Sequence, residues 1–256
     1  MKARVCLVLV SGLLAASAAS WAQTNNPQGN PNVKPELTEV WSPVPPTVTP
    51  GAGPGQPPSD ATVLFNGRDL SNWESVNGGP ADWTVGDGEF VVAPKAGSIQ
   101  TKEKFGDVQL HVEWRVPVLP PDRKGQDRGN SGIFLDGLYE VQVLDTLENK
   151  TYVNGEAGSI YKQYAPLVNA LKPAPQWQAY DIVFMAPRFY QDGTLTEPAR
   201  MTIFLNGILV QNNVYLQGPT EYRGIPKYVA HGDGPLMLQA HNNEVHYRNL
   251  WIRNLK

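Results

Sequence analysis

The residues best suited to chemistry in this chain are acids, amides and histidines at alternate positions of short predicted strands. Glu140 and Gln142 lie two positions apart, and so do Gln239 and His241. Successive side chains of a strand point to opposite faces, so each pair shares one face while its apolar neighbours share the other. A carboxylate, amides and an imidazole on one face could move protons and bind sugar hydroxyl groups. The alternative is that they coat a solvated outer face.

Two further predicted strands show the same alternation, one with Glu113 and Arg115 and one with Arg248. Exposed sheet faces usually carry lysine and glutamate in cross-strand pairs worth about 0.2–1 kcal/mol each. Arginine, glutamine and histidine recur here instead, which favours a ligand site. If these strands line one curved sheet, seven polar side chains converge on its concave side: Glu113, Arg115, Glu140, Gln142, Gln239, His241 and Arg248.

The elements that must position these residues are short strands joined by tight turns. In the stretch 130–145, Asp136-Gly137 supplies the backbone freedom of a hairpin turn. Similar turn signals recur along the chain, and they separate about a dozen short strands. This pattern predicts an all-β fold, an antiparallel two-sheet jelly-roll sandwich of the concanavalin or laminarinase type.

Three segments follow one another in the sequence. Residues 1–22 have a basic start, an apolar run and a small-residue cleavage site, which predicts a signal peptide and an exported, periplasmic or extracellular protein. Residues 23–60 contain ten prolines and little apolar periodicity, which predicts a disordered linker or an arm on the domain. Residues 61–256 suit one domain of ordinary size. Cys6 is the only cysteine, so the mature chain has no disulfide.

Charge and hydropathy narrow the class of partner. Taking Lys2 and Arg4 away from the 21 bases leaves 19 against 24 acids, a net charge of about −5 after cleavage. No basic stripe suited to nucleic acid is visible, and after residue 22 no apolar stretch is long enough for a membrane span. The predicted partner is a small or oligomeric carbohydrate. Trp177, on a proline-flanked loop, is the tryptophan best placed to stack on a sugar, while the others suit the core.

Other catalytic devices have weaker support in the residues. The spacing of Glu140, Gln142 and Asp145 resembles the Glu-x-Asp-x-x-Glu signature of laminarinase-like retaining glycosidases, but an amide replaces the middle acid. Such enzymes need two carboxyl groups about 5–5.5 Å apart. Glu140 and His241 could bind a divalent metal ion, with His111 or Glu113 as further ligands. No glycine-rich loop has the strand-to-helix context of a nucleotide cofactor site.

Several motifs together resemble those of the 3-keto-disaccharide hydrolase family. The matching segments are 64–73, Thr101, 113–115, 130–134, 139–145, 158–161, 205–207, 234–241 and 247–250. The resemblance implies a concanavalin-like jelly roll, export, and action on 3-oxidised glucosides. It also implies that some members are lyases that use a divalent metal.

The chemistry that this resemblance implies is reasonable for the residues present. A ketone at C3 makes the C2 hydrogen acidic, so a base can remove it and the C1 oxygen can leave, after which water can add. His241 or Glu140 is the candidate base, and Glu113 the residue that orients or protonates. Arg115, Arg248 or a cation would stabilise the enolate. The remaining candidate substrate-binding residues are Asn130, Ser131, Gln142, Asp145, Tyr161, Trp177 and Gln239.

Two other functions suit the same groove. A non-catalytic carbohydrate-binding module would use it as a lectin, which fits the proline-rich tether. A conventional retaining glycosidase would hydrolyse unoxidised glucans.

Overall fold

The computed structural model describes residues 33–255, and these form an almost purely antiparallel β-structure. The predicted signal peptide, residues 1–22, and the first part of the predicted linker, up to residue 32, lie outside the described residues. The chain divides into residues 1–46 and a compact unit that begins at Thr47. Within the described part, no helix has the length and apolarity that a membrane crossing needs.

The described residues contain fifteen strands and four short 3-10 helices, joined by turns and loops. The helices are Pro35–Thr38, Pro94–Ala96, Gly125–Asp127 and Val153–Gly155. In chain order the strands are β1 (Thr62–Val63), β2 (Trp73–Ser75), β3 (Thr84–Gly86), β4 (Glu89–Val91), β5 (Ile99–Phe105), β6 (Val108–Arg115), β7 (Ser131–Leu135), β8 (Tyr139–Val143), β9 (Gln178–Met185), β10 (Arg188–Phe189), β11 (Leu195–Glu197), β12 (Arg200–Leu205), β13 (Ile208–Tyr215), β14 (Gly234–Leu238) and β15 (His246–Asn254).

The strands form two main sheets. Sheet A has eight strands in the order β13-β12-β9-β6-β15-β4-β3, with β1 also paired to β15. Sheet B has five strands in the order β2-β5-β14-β7-β8, and β10 and β11 form a separate hairpin. The predicted two-sheet sandwich is therefore confirmed.

The predicted turns are confirmed where the backbone must turn sharply. Asp136 and Gly137, between β7 and β8, have φ angles of +54° and +67°. Such angles are open to glycine, and asparagine or aspartate tolerates them better than most other residues. The turn brings Phe134 opposite Glu140 and Gly132 opposite Gln142.

One apolar core lies between the two sheets, and hydrogen bonds cross it. The Tyr180 hydroxyl of β9 donates to the Gln142 carbonyl of β8 at 2.7 Å, and the Tyr247 hydroxyl of β15 donates to Ser131 Oγ of β7 at 2.7 Å. Alternation decides which residues face this core. Those of β6 and β8 are Leu110, Val112, Trp114, Tyr139, Val141 and Val143. The intervening residues of each strand therefore point away from the core.

The compact unit starts before residue 61, where the domain was predicted to begin. The Gly55 carbonyl accepts hydrogen bonds of 2.8 Å from Asn249 Nδ2 and Trp251 Nε1, and Asp60 pairs with Arg253. Residues 47–60 therefore pack on the domain. Residues 33–46 are a separate segment with exposed apolar side chains such as Trp41.

The buried carboxyl group of Asp136 should make the free energy of unfolding depend on pH. Asp136 is 7% exposed and its Oδ2 has no hydrogen-bond partner. Burial, with the negative charges of Asp233 and Asp107 nearby, raises its pKa to about 7. A raised folded-state pKa means that the folded protein binds the proton more tightly, so stability falls as pH rises from about 4 to about 7. The loss is up to about 4 kcal/mol, at about 1.4 kcal/mol per pKa unit.

We expect Asp136→Asn to lose less stability than the wild type between pH 5 and pH 8. Asparagine keeps the acceptor for the Gly234 N–H and tolerates the positive φ angle, but it cannot ionise. Urea unfolding at several pH values measures the difference. Parallel stability curves for the two proteins would show that Asp136 titrates normally.

Candidate active site

A polar cavity of about 310 Å³ opens on the outer face of sheet B. Strands β7 and β8, the end of β14 and two loops surround it. Nine residues from these strands and loops line the cavity, and six of them were predicted as site residues. The nine are Asn130, Phe134, Glu140, Gln142, Tyr161, Thr220, Tyr222, Gln239 and His241. Its size and polar lining suit a small sugar.

Hydrogen bonds from its backbone to two loops, in addition to the strand pairing, hold Glu140 at the cavity. Its N–H donates to Thr220 Oγ1 at 2.9 Å, and its carbonyl accepts from the Tyr161 N–H at 3.1 Å. Residues 158–161 run along the free edge of β8 and pair with it. Loop segments on both sides of β8 therefore fix the backbone of Glu140, from which the side chain reaches the cavity.

Gly132 leaves the space that the Glu140 carboxyl group occupies. A Cβ atom at residue 132 would lie 2.5 Å from Glu140 Oε1 and 2.7 Å from Phe134 Cε2. Both distances are too short for ordinary contacts, so the glycine of the 131–133 motif permits the close approach of the acid. This explains in physical terms why a glycine stands there.

The environment of Glu140 favours its neutral form. The side chain is 3% exposed, and it makes no ion pair with any residue in 33–255. Burial raises the pKa of its carboxyl group to about 8. Depending on the orientation of its amide group, Gln142 donates to Glu140 Oε1 at 3.2 Å or to Gln126 Oε1 at 2.9 Å. At neutral pH Glu140 is thus mainly a carboxylic acid that can donate a hydrogen bond or a proton.

His241 brings its imidazole ring to the same cavity. Its Nδ1 atom is buried and has no hydrogen-bond partner. Buried polar atoms are usually paired, so an unpaired one beside a cavity indicates a group that awaits a ligand. A neutral imidazole nitrogen can accept a proton or bind a metal.

Glu113, Arg115, Arg248 and Trp177 do not reach this cavity, so the predicted convergence of seven polar groups is wrong. Glu113 and Arg115 alternate with the core residues of β6. Arg248, on β15, lies opposite Glu113 in the strand pairing. All three side chains therefore project from the outer face of sheet A. The cavity lies on sheet B, across the core. Alternation gave the correct face of each strand but could not tell which sheet each strand joins.

The groups on sheet A satisfy one another. Arg248 Nε donates to Glu113 Oε2 at 2.6 Å, and its guanidinium carbon lies 4.1 Å from the Trp177 ring centroid. Burial alone would raise the pKa of Glu113, but His111, whose Nε2 lies 3.7 Å from Oε1, and hydrogen bonds from Asn249 and Arg248 lower it to about 2. Glu113 therefore stays ionised at neutral pH and is no proton donor. Trp177 stacks with Arg248 and lies outside the cavity lining.

Ser131 and Asp145 also lie outside the cavity lining. Ser131 Oγ donates to the Gln239 carbonyl at 2.7 Å on the core side of β7, where it helps to hold the end of β14. Asp145 Oδ2 accepts from Arg128 Nε at 2.8 Å in a largely buried pair. Both residues support the structure around the site.

The structure brings six of the predicted site residues together in the cavity, beside three residues that sequence reasoning missed. Glu140, His241, Asn130, Gln142, Tyr161 and Gln239 all line it. The missed residues are Phe134, whose outward position on β7 alternation could have indicated, and Thr220 and Tyr222, which lie on an irregular loop without a periodic signal.

The donor atoms of the cavity suit a divalent cation in part. One carboxyl group without an ion-pair partner and one imidazole ring line it, together with three amides. Carboxylate and amide oxygens are the ligands of hard cations. Within residues 33–255, however, no three His, Cys, Asp or Glu side chains are grouped closely enough to hold an ion by themselves. Substrate or water oxygens would have to complete the coordination.

A jelly-roll sandwich with this sugar-sized polar cavity defines a carbohydrate-active domain of the glycosyl hydrolase kind. The family model described as the 3-keto-alpha-glucoside-1,2-lyase-like domain matches residues 60–253, and the chain belongs to this family. The predicted relationship to the 3-keto-disaccharide hydrolase family is thereby confirmed. No curated protein sequence matches the chain significantly.

Solved structures agree with this assignment. A protein from Parabacteroides distasonis ATCC 8503, provisionally described as a glycosyl hydrolase, is 50% identical, covering 89% of this chain and 99% of its own, with a TM-score of 0.84. A second protein of that organism with the same description is 21% identical, covering 77% and 94%, with a TM-score of 0.57. A third is 19% identical, covering 76% and 99%, with a TM-score of 0.50. The last two share the fold.

Proposed function

We propose that the protein is an exported enzyme that cleaves the glycosidic bond of 3-keto-glucosides by C2 deprotonation and elimination, with or without later addition of water. The observation that carries the proposal is that a carboxyl group and an imidazole ring line the same cavity. Glu140 is a buried acid that is mainly neutral at pH 7, and His241 has an unpaired ring nitrogen. An elimination next to a ketone needs one proton acceptor and one donor of this kind.

His241 is the proposed base. A ketone at C3 acidifies the C2 hydrogen, and an imidazole is a suitable acceptor near neutral pH. As the proton leaves C2, negative charge develops on the C3 oxygen. This charge would be unstable in a buried cavity without a hydrogen-bond donor.

Glu140 is the proposed donor to that C3 oxygen. A carboxylic acid kept neutral by burial can stabilise an enolate by a hydrogen bond or by transfer of its proton. The amides of Asn130, Gln142 and Gln239 would bind the sugar hydroxyl groups, since each amide can donate and accept. This assignment replaces the arginines, which lie on the other sheet.

A divalent ion is the alternative to these acid and base roles, because a side chain that binds an ion cannot also serve as the free base or the neutral acid. Glu140 and His241 are the residues that would hold it, and it would supply positive charge to polarise the ketone. In the ion-free cavity the same residues act as acid and base. We expect added Mn²⁺ or Ca²⁺ to raise the melting temperature of the chelator-treated wild type and to have little effect on Glu140→Gln. Equal shifts in the two proteins would place the ion elsewhere.

The test of function is incubation with 3-keto-trehalose, with and without chelator, beside unoxidised trehalose and a β-glucan. Release of sugar from the 3-keto substrate alone supports the proposal. Binding without release would favour a non-catalytic carbohydrate-binding module, and release from the unoxidised glucan would favour a retaining glycosidase. Against the latter, Asp145 is paired with Arg128 and Glu140 is the one carboxyl group among the described cavity residues.

A further inference from the structure

Two hydrogen-bonded tyrosines connect the cavity to the surface of the protein. Tyr161 lines the cavity and is 9% exposed, whereas Tyr152 is 39% exposed. Their hydroxyl oxygens lie 2.6 Å apart, and either can be the donor. Because the Tyr161 backbone is bonded to the Glu140 carbonyl, this phenol is anchored beside the proposed reaction centre.

The elimination needs a second proton donor that the proposed function leaves unassigned. Departure of a sugar alkoxide from C1 requires a proton, and Glu140 is already assigned to the C3 oxygen. Glu113, the sequence-predicted donor, lies on sheet A and stays ionised. Among the described cavity residues, Tyr161, Tyr222 and Thr220 carry hydroxyl groups. Of these, Tyr161 has a hydrogen-bonded phenol partner that extends toward solvent.

We propose that Tyr161 is the catalytic acid that protonates the departing glycosidic oxygen, and that Tyr152 is a positioning residue that returns a proton to it from solvent. The inference rests on the proposed function. It adds an origin for the proton of the released sugar.

The step balances as follows. The C2–H electron pair passes to the C2–C3 bond as His241 takes the proton, and the C3 oxygen becomes the enolate. Collapse of the enolate restores the C3 ketone, forms the C1–C2 double bond and breaks the C1–O bond. The glycosidic oxygen takes that electron pair and the Tyr161 proton. The Tyr161 phenolate then receives a proton from Tyr152, which is reprotonated by water, and His241 returns its proton to solvent.

The surroundings of the pair suit this cycle. Lys162 Nζ lies 5.7 Å and 5.8 Å from the Tyr152 and Tyr161 ring centroids, and it donates to the Tyr222 carbonyl at 2.7 Å. This fixed positive charge would stabilise a transient phenolate.

The test separates C2 deprotonation from bond cleavage. Wild type, Tyr161→Phe and Tyr152→Phe are incubated in D₂O with 3-keto-trehalose, whose leaving sugar needs a proton, and with p-nitrophenyl 3-keto-α-glucoside, whose leaving group does not. Deuterium entry at C2 and product release are both measured, with Tyr190→Phe, an exposed tyrosine outside the cavity, as control.

We expect Tyr161→Phe to lose roughly 10²- to 10⁴-fold in release from 3-keto-trehalose. It should keep C2 exchange and stay within about fivefold of the wild type on the p-nitrophenyl substrate, on the same scale of acid catalysis. Tyr152→Phe should show a smaller loss with the same selectivity. Equal losses on both substrates, or loss of C2 exchange in a variant with a normal melting temperature, would overturn the inference. A wild type that neither exchanges the C2 hydrogen nor releases product from either 3-keto substrate would instead overturn the proposed function.

Discussion

Glu140→Gln is expected to lower the rate of release from a 3-keto-glucoside by about 10²- to 10³-fold, within the usual effect of losing a positioned acid that can transfer a proton. Glutamine keeps the shape of the side chain in the space beside Gly132, but it has no proton to transfer. Steady-state assays with 3-keto-trehalose measure the loss. The loss should fall mainly on kcat, because the donor acts most strongly on the enolate.

The same substitution should not destabilise the protein. Burial raises the folded-state pKa of Glu140 above its ordinary value, so ionisation opposes folding more and more as pH rises from about 4.5 to about 8. Removing the ionisable group should therefore raise the melting temperature at pH 8 and change it little at pH 4. Glu103→Gln, on the exposed surface of β5, is the matched control. A large loss of stability with unchanged kcat would identify Glu140 as structural.

His241→Asn is expected to reduce kcat/KM by about 10²- to 10⁴-fold, the range for loss of a general base. Asparagine retains a polar group near the position of Nδ1 but cannot accept the C2 proton. Deuterium entry at C2 should be lost together with product release, in contrast to the behaviour expected of Tyr161→Phe. The assay is C2 exchange in D₂O followed by NMR.

Chemical rescue distinguishes a base from a structural histidine. In His241→Ala, added imidazole should restore part of the C2 exchange, because it can occupy the vacated space beside the substrate. His246→Asn is the control, since His246 pairs with Glu89 on sheet A and should leave exchange unchanged. If His241→Asn exchanges C2 hydrogen at the wild-type rate, another residue must be the base.

Local signals in the sequence predicted the fold and six of the nine residues that line the cavity. The Asp136-Gly137 turn and the alternation in β8 depend on neighbouring residues alone, and both were correct. The position of β6 and β15 in one sheet, and of β7, β8 and β14 in the other, depends on the topology of the whole chain. Both sheets present a polar outer face with the same periodicity, so the sequence pattern could not separate them.

The cavity rim was harder to predict because irregular loops supply it. Thr220 and Tyr222 come from a segment without strand or helix periodicity, and Tyr152 reaches the site through its hydrogen bond to Tyr161. Ser131 and Asp145 lie in the correct motifs, but their partners, Tyr247 and Arg128, are visible in the fold alone. Such distant pairings leave no short-range signature.

Titration of the Glu140 carboxyl group decides whether this residue is a neutral acid at pH 7. Protein labelled with ¹³C at the glutamate carboxyl carbons would be titrated by NMR after chelator treatment, with Glu140→Gln used to assign the resonance. The account predicts a carboxyl group with a pKa of about 8. A resonance that titrates at the ordinary glutamate value of about 4.3 would contradict it, because Glu140 would then be ionised during the reaction.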